Sequence, residues 1–190
     1  MICKNIKLFS QNIWKNSLLI KTILEVNNDF NIIFIQKSSW TTIWSIPSSN
    51  SCKEDTIIGV INHPNWLTFT RFSANESSYP RVVTYINIRL SSFHFSLWKN
   101  IIDHKDILLI SFFNNNDSFW LMNVYSDFSH LALKYLKNTE VNIWNILIMT
   151  GDFNIQDSLW DPAFLHHSTI SNNLLIIADF FDLSLSTSIN

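Results

Sequence analysis

The stretch of residues 145–162 constrains this chain more than any other. An apolar run there ends abruptly in Gly-Asp-Phe-Asn, and a short apolar run closed by a turn signal is typical of a buried strand. Gly151 is one of only two glycines in 190 residues, so it predicts a sharp turn at the C-terminal end of that strand. Residues two apart in extended backbone point to the same face. We therefore expect Asp152 and Asn154 to converge on one polar site at the end of a rigid sheet.

Length and composition indicate one globular domain that spans residues 1–190. The chain is 47% hydrophobic, which allows a sizeable core. The net charge of −2 argues against a protein that grips nucleic acid through a broad basic surface, although a local basic groove stays open. Cys3 and Cys52 do not form a disulfide framework, and the sequence shows neither a signal peptide nor a membrane span. We expect a soluble, intracellular protein with no membrane partner.

Hydrophobic periodicity predicts a chain in which strands dominate and helices lie between them. The predicted strands are Lys7–Trp14, Phe30–Gln36, Ile57–Ile61, Trp66–Arg71, Arg81–Leu90, Ile107–Phe113, Phe119–Tyr125 and the run that leads into Gly151. The predicted helices are Ser17–Asn27, Ser129–Asn138 and Ser171–Leu183, with Ser17 and Ser171 as N-caps, and Lys37–Asp55 is predicted to be a loop. Residues 114–118 carry a hairpin signal. The opening strand, helix and strand predict a βαβ-like unit, and the whole predicts an α/β sandwich of two packed sheets with outer helices.

Polar residues close four of these strands in a recurring order. They are Gln11-Asn12, Ile35-Gln36, Asn123-Val124-Tyr125 and Gly151-Asp152-Phe153-Asn154. In this order the chain resembles the endonuclease/exonuclease/phosphatase superfamily, whose fold is that of DNase I-like nucleases. It most resembles the endonuclease domain of non-LTR retrotransposons, in which a segment containing Trp often follows GDFN, as Ser158–Pro162 does here. The likeness runs from about Asn5 to the end, and it implies a four-layer α/β sandwich with two mainly antiparallel sheets.

The resemblance also implies roles for four residues in phosphodiester hydrolysis of DNA. Asn12 would position a metal-binding carboxylate or a phosphate oxygen, and Tyr125 would donate its hydroxyl to the scissile phosphate. Asp152 would orient or deprotonate the attacking water, and Asn154 would hold that geometry. Asn12 and Asp152 would lie at a Mg²⁺ ion that offsets charge on the phosphate. DNA is the partner that the resemblance implies.

Two departures from the family pattern predict a weak or inactive copy. The second strand of the family ends in Ile-Gln-Glu, and that Glu is the principal metal ligand, but here the position is Lys37. A protonated ammonium offers no lone pair to a hard cation, although it could bind a phosphate directly. The family's last motif, Ser-Asp-His, does not occur in the sequence. The resemblance therefore implies a copy that is truncated at its C-terminus and lacks the last strands of one sheet.

Simpler interpretations stay open at each of these positions. Asp152 and Asn154 are ordinary turn residues, Asn12 could make a strand-end hydrogen bond, and Tyr125 could be a core tyrosine. His166-His167 is expected in a surface loop, because adjacent side chains point apart. The other polar candidates are Asp157 and Asp161 as cleft, solvated-loop or cap residues, Asp179 facing solvent, and Arg71, Arg81 and Arg89 as a phosphate track. Two alternative functions also stay open, namely a non-catalytic module that binds nucleic acid or protein, and a phosphatase-type member of the superfamily.

Overall fold

The structure is a computed structural model that describes most of the chain. The described residues are 6–27, 29–46, 55–71, 79–98, 100–113, 118–139, 145–160 and 163–184. Several predictions lie outside them, including the hairpin turn at 114–117, Asp161 and both cysteines.

The first sheet is built on the parallel pair that the opening of the sequence predicts. Strand β1 (Leu8–Asn12) and strand β2 (Ile32–Gln36) are joined by helix α1 (Ser17–Val26), and they pair in register so that Asn12 lies beside Gln36. The sheet continues in the order β1-β2-β6-β5, in which β6 (Val82–Asn87) and β5 (Trp66–Phe69) are antiparallel to their neighbours. The βαβ unit thus brings two strand ends with polar residues to one edge.

The second sheet has the order β10-β9-β8-β7. Its strands are β7 (His94–Leu97), β8 (Ile107–Phe113), β9 (Ser118–Tyr125) and β10 (Ile146–Asp152). Strands β8 and β9 form the predicted antiparallel pair, whereas β9 and β10 are parallel and place Asp152 beside Tyr125. Both sheets are therefore mixed, with most pairs antiparallel.

The apolar side chains pack the two sheets against each other and pack helices against both outer faces, which gives four layers. Between the sheets, Phe34 and Ile86 of the first sheet pack against Leu108 and Phe112 of the second. Helix α1 covers the outer face of the first sheet. Helices α2 (Leu131–Asn138) and α3 (Thr169–Phe180) cover the outer face of the second sheet. Strand β2 is buried along its whole length because both of its faces are covered. The predicted α/β sandwich is confirmed.

Several predicted elements differ from the structure. The predicted loop 37–55 contains β3 (Thr41–Ile46), which pairs with β4 (Asp55–Gly59); β-branched and aromatic residues favour a strand there despite the polar neighbours. Strand β7 was not predicted, because its four residues, His-Phe-Ser-Leu, lie among polar and turn-forming residues. The predicted strand Arg81–Leu90 ends at Asn87, whose side chain accepts from the N–H of Arg89 and caps a 3₁₀ turn.

The helix caps also differ from the prediction by a few residues. Asn16, not Ser17, caps α1, since its Oδ1 accepts from the N–H of Leu19 at 3.0 Å. Ser168, not Ser171, caps α3 by accepting from the N–H of Ser171. None of the helices in the described parts of the chain is both long and apolar enough to cross a bilayer.

Candidate functional site

Four strand ends meet at one place, which we call the strand mouth: Asn12 of β1, Gln36 of β2, Tyr125 of β9 and Asp152 of β10. Within each sheet the parallel pairing sets two of these residues side by side. Across the sheets, the side-chain amide Nδ2 of Asn12 donates to Oδ2 of Asp152 at 2.5 Å. The other amide atom of Asn12, Oδ1, accepts from the N–H of Trp14 at 3.0 Å. Asn12 therefore joins the two sheets at the strand mouth and fixes the first residue of the bend after β1.

Asp152 and Asn154 do converge, but not through extended backbone as the sequence predicts. Asn154 has a φ of 48°, a left-handed conformation that Asn tolerates better than most residues. Its N–H donates to Oδ1 of Asp152 at 3.2 Å, and its Nδ2 donates to the carbonyl of Ser126 at 2.6 Å. The carboxylate thus closes a local turn, and Asn154 ties that turn to the end of β9. Asp152 and Asn154 are thus turn residues and, at the same time, residues of the candidate site.

Gly151 is required for a reason other than the predicted turn. It lies within β10, and its φ is not positive. A Cβ at this position would lie 1.9 Å from the carbonyl oxygen of Val124 on the neighbouring strand. The absence of a side chain therefore permits a close approach of β10 to β9, directly before Asp152.

A buried polar network lies beneath the strand mouth, between the two sheets. Gln36 and Asn123 are 1% and 0% exposed, and Nε2 of Gln36 donates to Oδ1 of Asn123 at 2.8 Å. Nδ2 of Asn123 faces the carbonyl of Val83 at 3.0 Å, the carbonyl of Ile35 at 3.3 Å and the hydroxyl of Thr84 at 3.3 Å. Buried polar groups that find partners are far less costly than unpaired ones. Gln36 and Asn123 therefore hold the sheets in register beneath the site.

Tyr125 is a buried residue of the strand mouth, 4% exposed. Its ring lies 4.5 Å from the guanidinium carbon of Arg81 and 5.5 Å from Nζ of Lys37. Burial raises the pKa of its hydroxyl, and the nearby Arg81 opposes that rise. The phenol therefore stays protonated at neutral pH, which a proton donor requires. Its catalytic role stays a prediction.

Arg81 is held by carboxylates and does not form the predicted phosphate track. It makes two bonds to Asp106, at 2.8 and 2.5 Å, and two to Asp127, both at 3.1 Å. Hydrogen bonding to Asp106 raises the pKa of Arg81 above its usual range, against the effect of burial. Arg71 contacts the carbonyls of Ile102 and His104 and the carboxylate of Asp103. Arg89 follows the far end of β6, so the three arginines do not gather along one track.

Lys37 directly follows the end of β2 and projects into the strand mouth. Its Nζ lies 3.3 Å from the centroid of the exposed Trp14 ring. Within the described residues, no carboxylate lies within ion-pair distance of this ammonium. The Lys37 side chain thus contacts aromatic faces instead of a counter-ion.

The donor set at the strand mouth does not fit a divalent cation. Mg²⁺ is bound by carboxylate, carbonyl and water oxygens, whereas Asn12 turns its N–H₂ toward Asp152 and Lys37 adds a positive charge. The two neighbouring carboxylates, Asp106 and Asp127, are bound to Arg81. The described parts of the chain contain no group of three or more His, Cys, Asp and Glu side chains that could hold a metal.

A second polar cluster lies after the strand mouth, and no motif in the sequence predicts it. Asp157 is fully buried and is not in a solvated loop. Its oxygens accept from the N–H groups of Leu159 (2.9 Å) and Ser168 (2.8 Å), and one lies 2.9 Å from Nδ1 of His167. Burial alone would raise the pKa of Asp157, but hydrogen bonds from Ser171 and these other groups hold it well below its usual range. Asp157 thus ties the loop after β10 to the start of α3.

The remaining titratable candidates differ in how near they lie to the strand mouth. His167 is 38% exposed, and hydrogen bonds to Asp157 and Asn172 raise its pKa. His166 and Asp179 are exposed, as expected.

His130 lies beside the Asp152–Asn154 turn, since its Nδ1 is 3.3 Å from the hydroxyl of Ser126, whose carbonyl accepts from Asn154. His104 lies next to the Arg81 carboxylates, where its Nδ1 accepts from the N–H of Asp106 at 3.2 Å. His63 and His94 belong to the loop before β5 and to β7.

Comparison with known proteins supports the fold. No protein-family model matches the sequence, and no curated protein matches it either. Among solved structures, the chain is similar to the "Endonuclease domain of TRAS1, a telomere-specific non-LTR retrotransposon", with a TM-score of 0.61 and 11% sequence identity. The match covers 93% of this chain and 70% of that one. An identity this low establishes the fold alone, so the chain has the DNase I-like α/β fold that its strand-end motifs predict.

Proposed function

We propose that this chain is an endonuclease-like domain of the non-LTR retrotransposon type whose metal-dependent hydrolysis of DNA is weak or lost. The fold and the meeting of Asn12, Tyr125 and Asp152 at one strand mouth support the nuclease origin. The main observation in support of a loss of activity is the position of Lys37. C-terminal truncation stays a prediction.

Charge explains why Lys37 opposes a metal-dependent reaction. Its ammonium approaches the Tyr125 ring at the strand mouth, where the resemblance places the principal metal ligand. At a separation of about 4 Å and an effective dielectric of about 20, the repulsion between an ammonium and a divalent cation is about 8 kcal/mol. One carboxylate, Asp152, would have to overcome that repulsion, and its Oδ2 already accepts from Asn12.

A plasmid-nicking assay with Mg²⁺ and with EDTA tests this proposal. We expect the full chain to nick supercoiled plasmid no faster than the variant Asp152→Ala, because the site does not hold the metal. Asp179→Ala is the matched control, since this carboxylate is exposed on α3. EDTA-sensitive nicking that Asp152→Ala abolishes and Asp179→Ala preserves would refute the proposed loss of activity.

A non-catalytic module that binds nucleic acid is the second candidate function. The observation that favours it is the same ammonium, because Lys37 lacks a carboxylate partner among the described residues and could bind a phosphate as a point charge. In this candidate function, the cleft binds nucleic acid without hydrolysing it.

A further inference from the structure

Trp14, Lys15 and Lys37, here called the Trp14–lysine cluster, form a fixed group beside the strand mouth. All three residues take left-handed backbone conformations, with φ of 51°, 62° and 49°. Residues other than glycine adopt this region when the surrounding structure holds them there. The N–H of Lys15 donates to the carbonyl of Lys37 at 2.8 Å. The bend after β1 and the bend after β2 are therefore locked together, and the cluster is preorganised.

Within the part of the chain that the structure describes, no ion pair offsets the charge of this cluster. Neither Lys15 nor Lys37 forms an ion pair with a carboxylate in the described parts of the chain. The carboxylate of Asp152 accepts from Asn12 and from the N–H of Asn154, and that of Asp127 accepts from Arg81 and Ser129. Among the described residues, the Lys37 ammonium contacts the aromatic faces of Trp14 and Tyr125 and donates to no hydrogen-bond acceptor. A phosphate oxygen would supply both a negative charge and a hydrogen-bond acceptor for this ammonium.

Trp14 adds a stacking surface to that charge. Its side chain is 71% exposed, even though its backbone is held and Nζ of Lys37 lies 3.3 Å from its ring centroid. The rest of the indole is therefore open to solvent. An aromatic platform beside unpaired cations is the combination that binds single-stranded nucleic acid, since every base offers a face for stacking. Bases inside a duplex are already stacked and paired, so they do not offer that face.

We propose that the Trp14–lysine cluster binds single-stranded nucleic acid without a metal ion, with a backbone phosphate on Lys37, a base on Trp14 and a neighbouring phosphate on Lys15. This proposal rests on the proposed function, because it takes the strand mouth to be a nucleic-acid cleft. It gives Lys37 a role that does not depend on hydrolysis.

Fluorescence anisotropy with a labelled oligothymidylate of about 15 nucleotides, in EDTA, tests the proposal. We expect Trp14→Ala and Lys37→Gln each to weaken binding by about tenfold or more, whereas Lys37→Arg retains binding because it retains the charge. Lys7→Gln is the matched control for charge, since Lys7 is exposed and precedes β1, at the end of that strand opposite Asn12. It should change affinity less than about twofold.

The salt dependence separates loss of a phosphate contact from loss of structure. Lys37→Gln should reduce the slope of log affinity against log salt by about 0.7, the contribution of one phosphate on a single strand. No binding in EDTA, or equal effects of Lys37→Gln and Lys7→Gln, would overturn the proposal. The proposed stacking on Trp14 would be refuted if the protein bound a duplex as tightly as the single strand and Trp14→Ala left that affinity unchanged. Mg²⁺-dependent nicking refutes the proposed function separately, because it is measured in a different assay.

Discussion

Gly151→Ala is expected to destabilise the protein well beyond an ordinary glycine-to-alanine change. The new Cβ would lie 1.9 Å from the carbonyl oxygen of Val124 and 2.8 Å from its carbonyl carbon, whereas ordinary contact begins at 3.4 Å. The obstructing atoms belong to the backbone of β9, a central strand of its sheet, so no side chain can move aside. The strands must separate by about 1.5 Å or the backbone must rotate, and we expect a loss of about 3 kcal/mol, the upper end of overpacking costs.

Urea unfolding followed by circular dichroism measures this effect. With a slope of about 2 kcal/mol/M, a loss of 3 kcal/mol lowers the unfolding midpoint by about 1.5 M. Leu147→Ala is the control on the same strand, where the side chain is 53% exposed, and its midpoint should shift by no more than about 0.3 M. If the close approach did not matter, alanine would stabilise the chain by about 0.4–1 kcal/mol through the unfolded state. An unchanged or raised midpoint for Gly151→Ala would therefore refute the reasoning.

Two further predictions concern the buried network and the cluster after β10. Asn123→Ala should cost about 3 kcal/mol in urea unfolding, because among the described residues it leaves the buried Nε2 of Gln36 with the Ser10 hydroxyl alone. Asn138→Ala, at the exposed C-terminal end of α2, is the control, and equal midpoints for the two variants would contradict the prediction. The pKa of His167 is raised in the folded state, so its stabilising contact with Asp157 is fully present below the ordinary value of 6.5 and is lost as pH rises through the folded pKa. The stability advantage of the wild type over His167→Gln should therefore shrink between about pH 5.5 and 8, and an advantage that grows over this range would show that the sign is wrong.

The fold was predictable wherever an apolar run had the length of a typical strand and polar residues at both ends. The strand at 107–113 is predicted to the residue, since six apolar residues among seven, bounded by polar ones, are typical of a buried strand. Strands β3 and β7 were missed for opposite reasons. The first is hidden among Ser and Asn residues that favour loops. The second forms because β8 offers an edge for pairing, a fact that lies outside its own four residues.

The candidate site was predictable in position but not in geometry. Parallel neighbours bring their C-terminal ends to one edge, which explains why Asn12 lies beside Gln36 and Asp152 beside Tyr125. The contact of Asn12 with Asp152 joins the two sheets, and it was expected from the family resemblance alone. The left-handed turn at Asn154 and the close approach at Gly151 depend on a neighbouring strand that local sequence cannot specify. The contact of Lys37 with Trp14 joins residues that follow different strands. It arises only when β1 and β2 pair.

The features that make the strand mouth recognisable each have a structural reason that does not require catalysis. Gly151 allows two backbones to approach, Asn123 satisfies buried carbonyls, and Asn154 closes a turn. The residue after β2 is separate from these supports, and its identity decides whether the strand mouth receives a carboxylate or an ammonium. A change there alters the charge and leaves these supports in place. The structure therefore accounts for the Gly-Asp-Phe-Asn segment by packing and hydrogen bonds, and Lys37 sets the charge beside it.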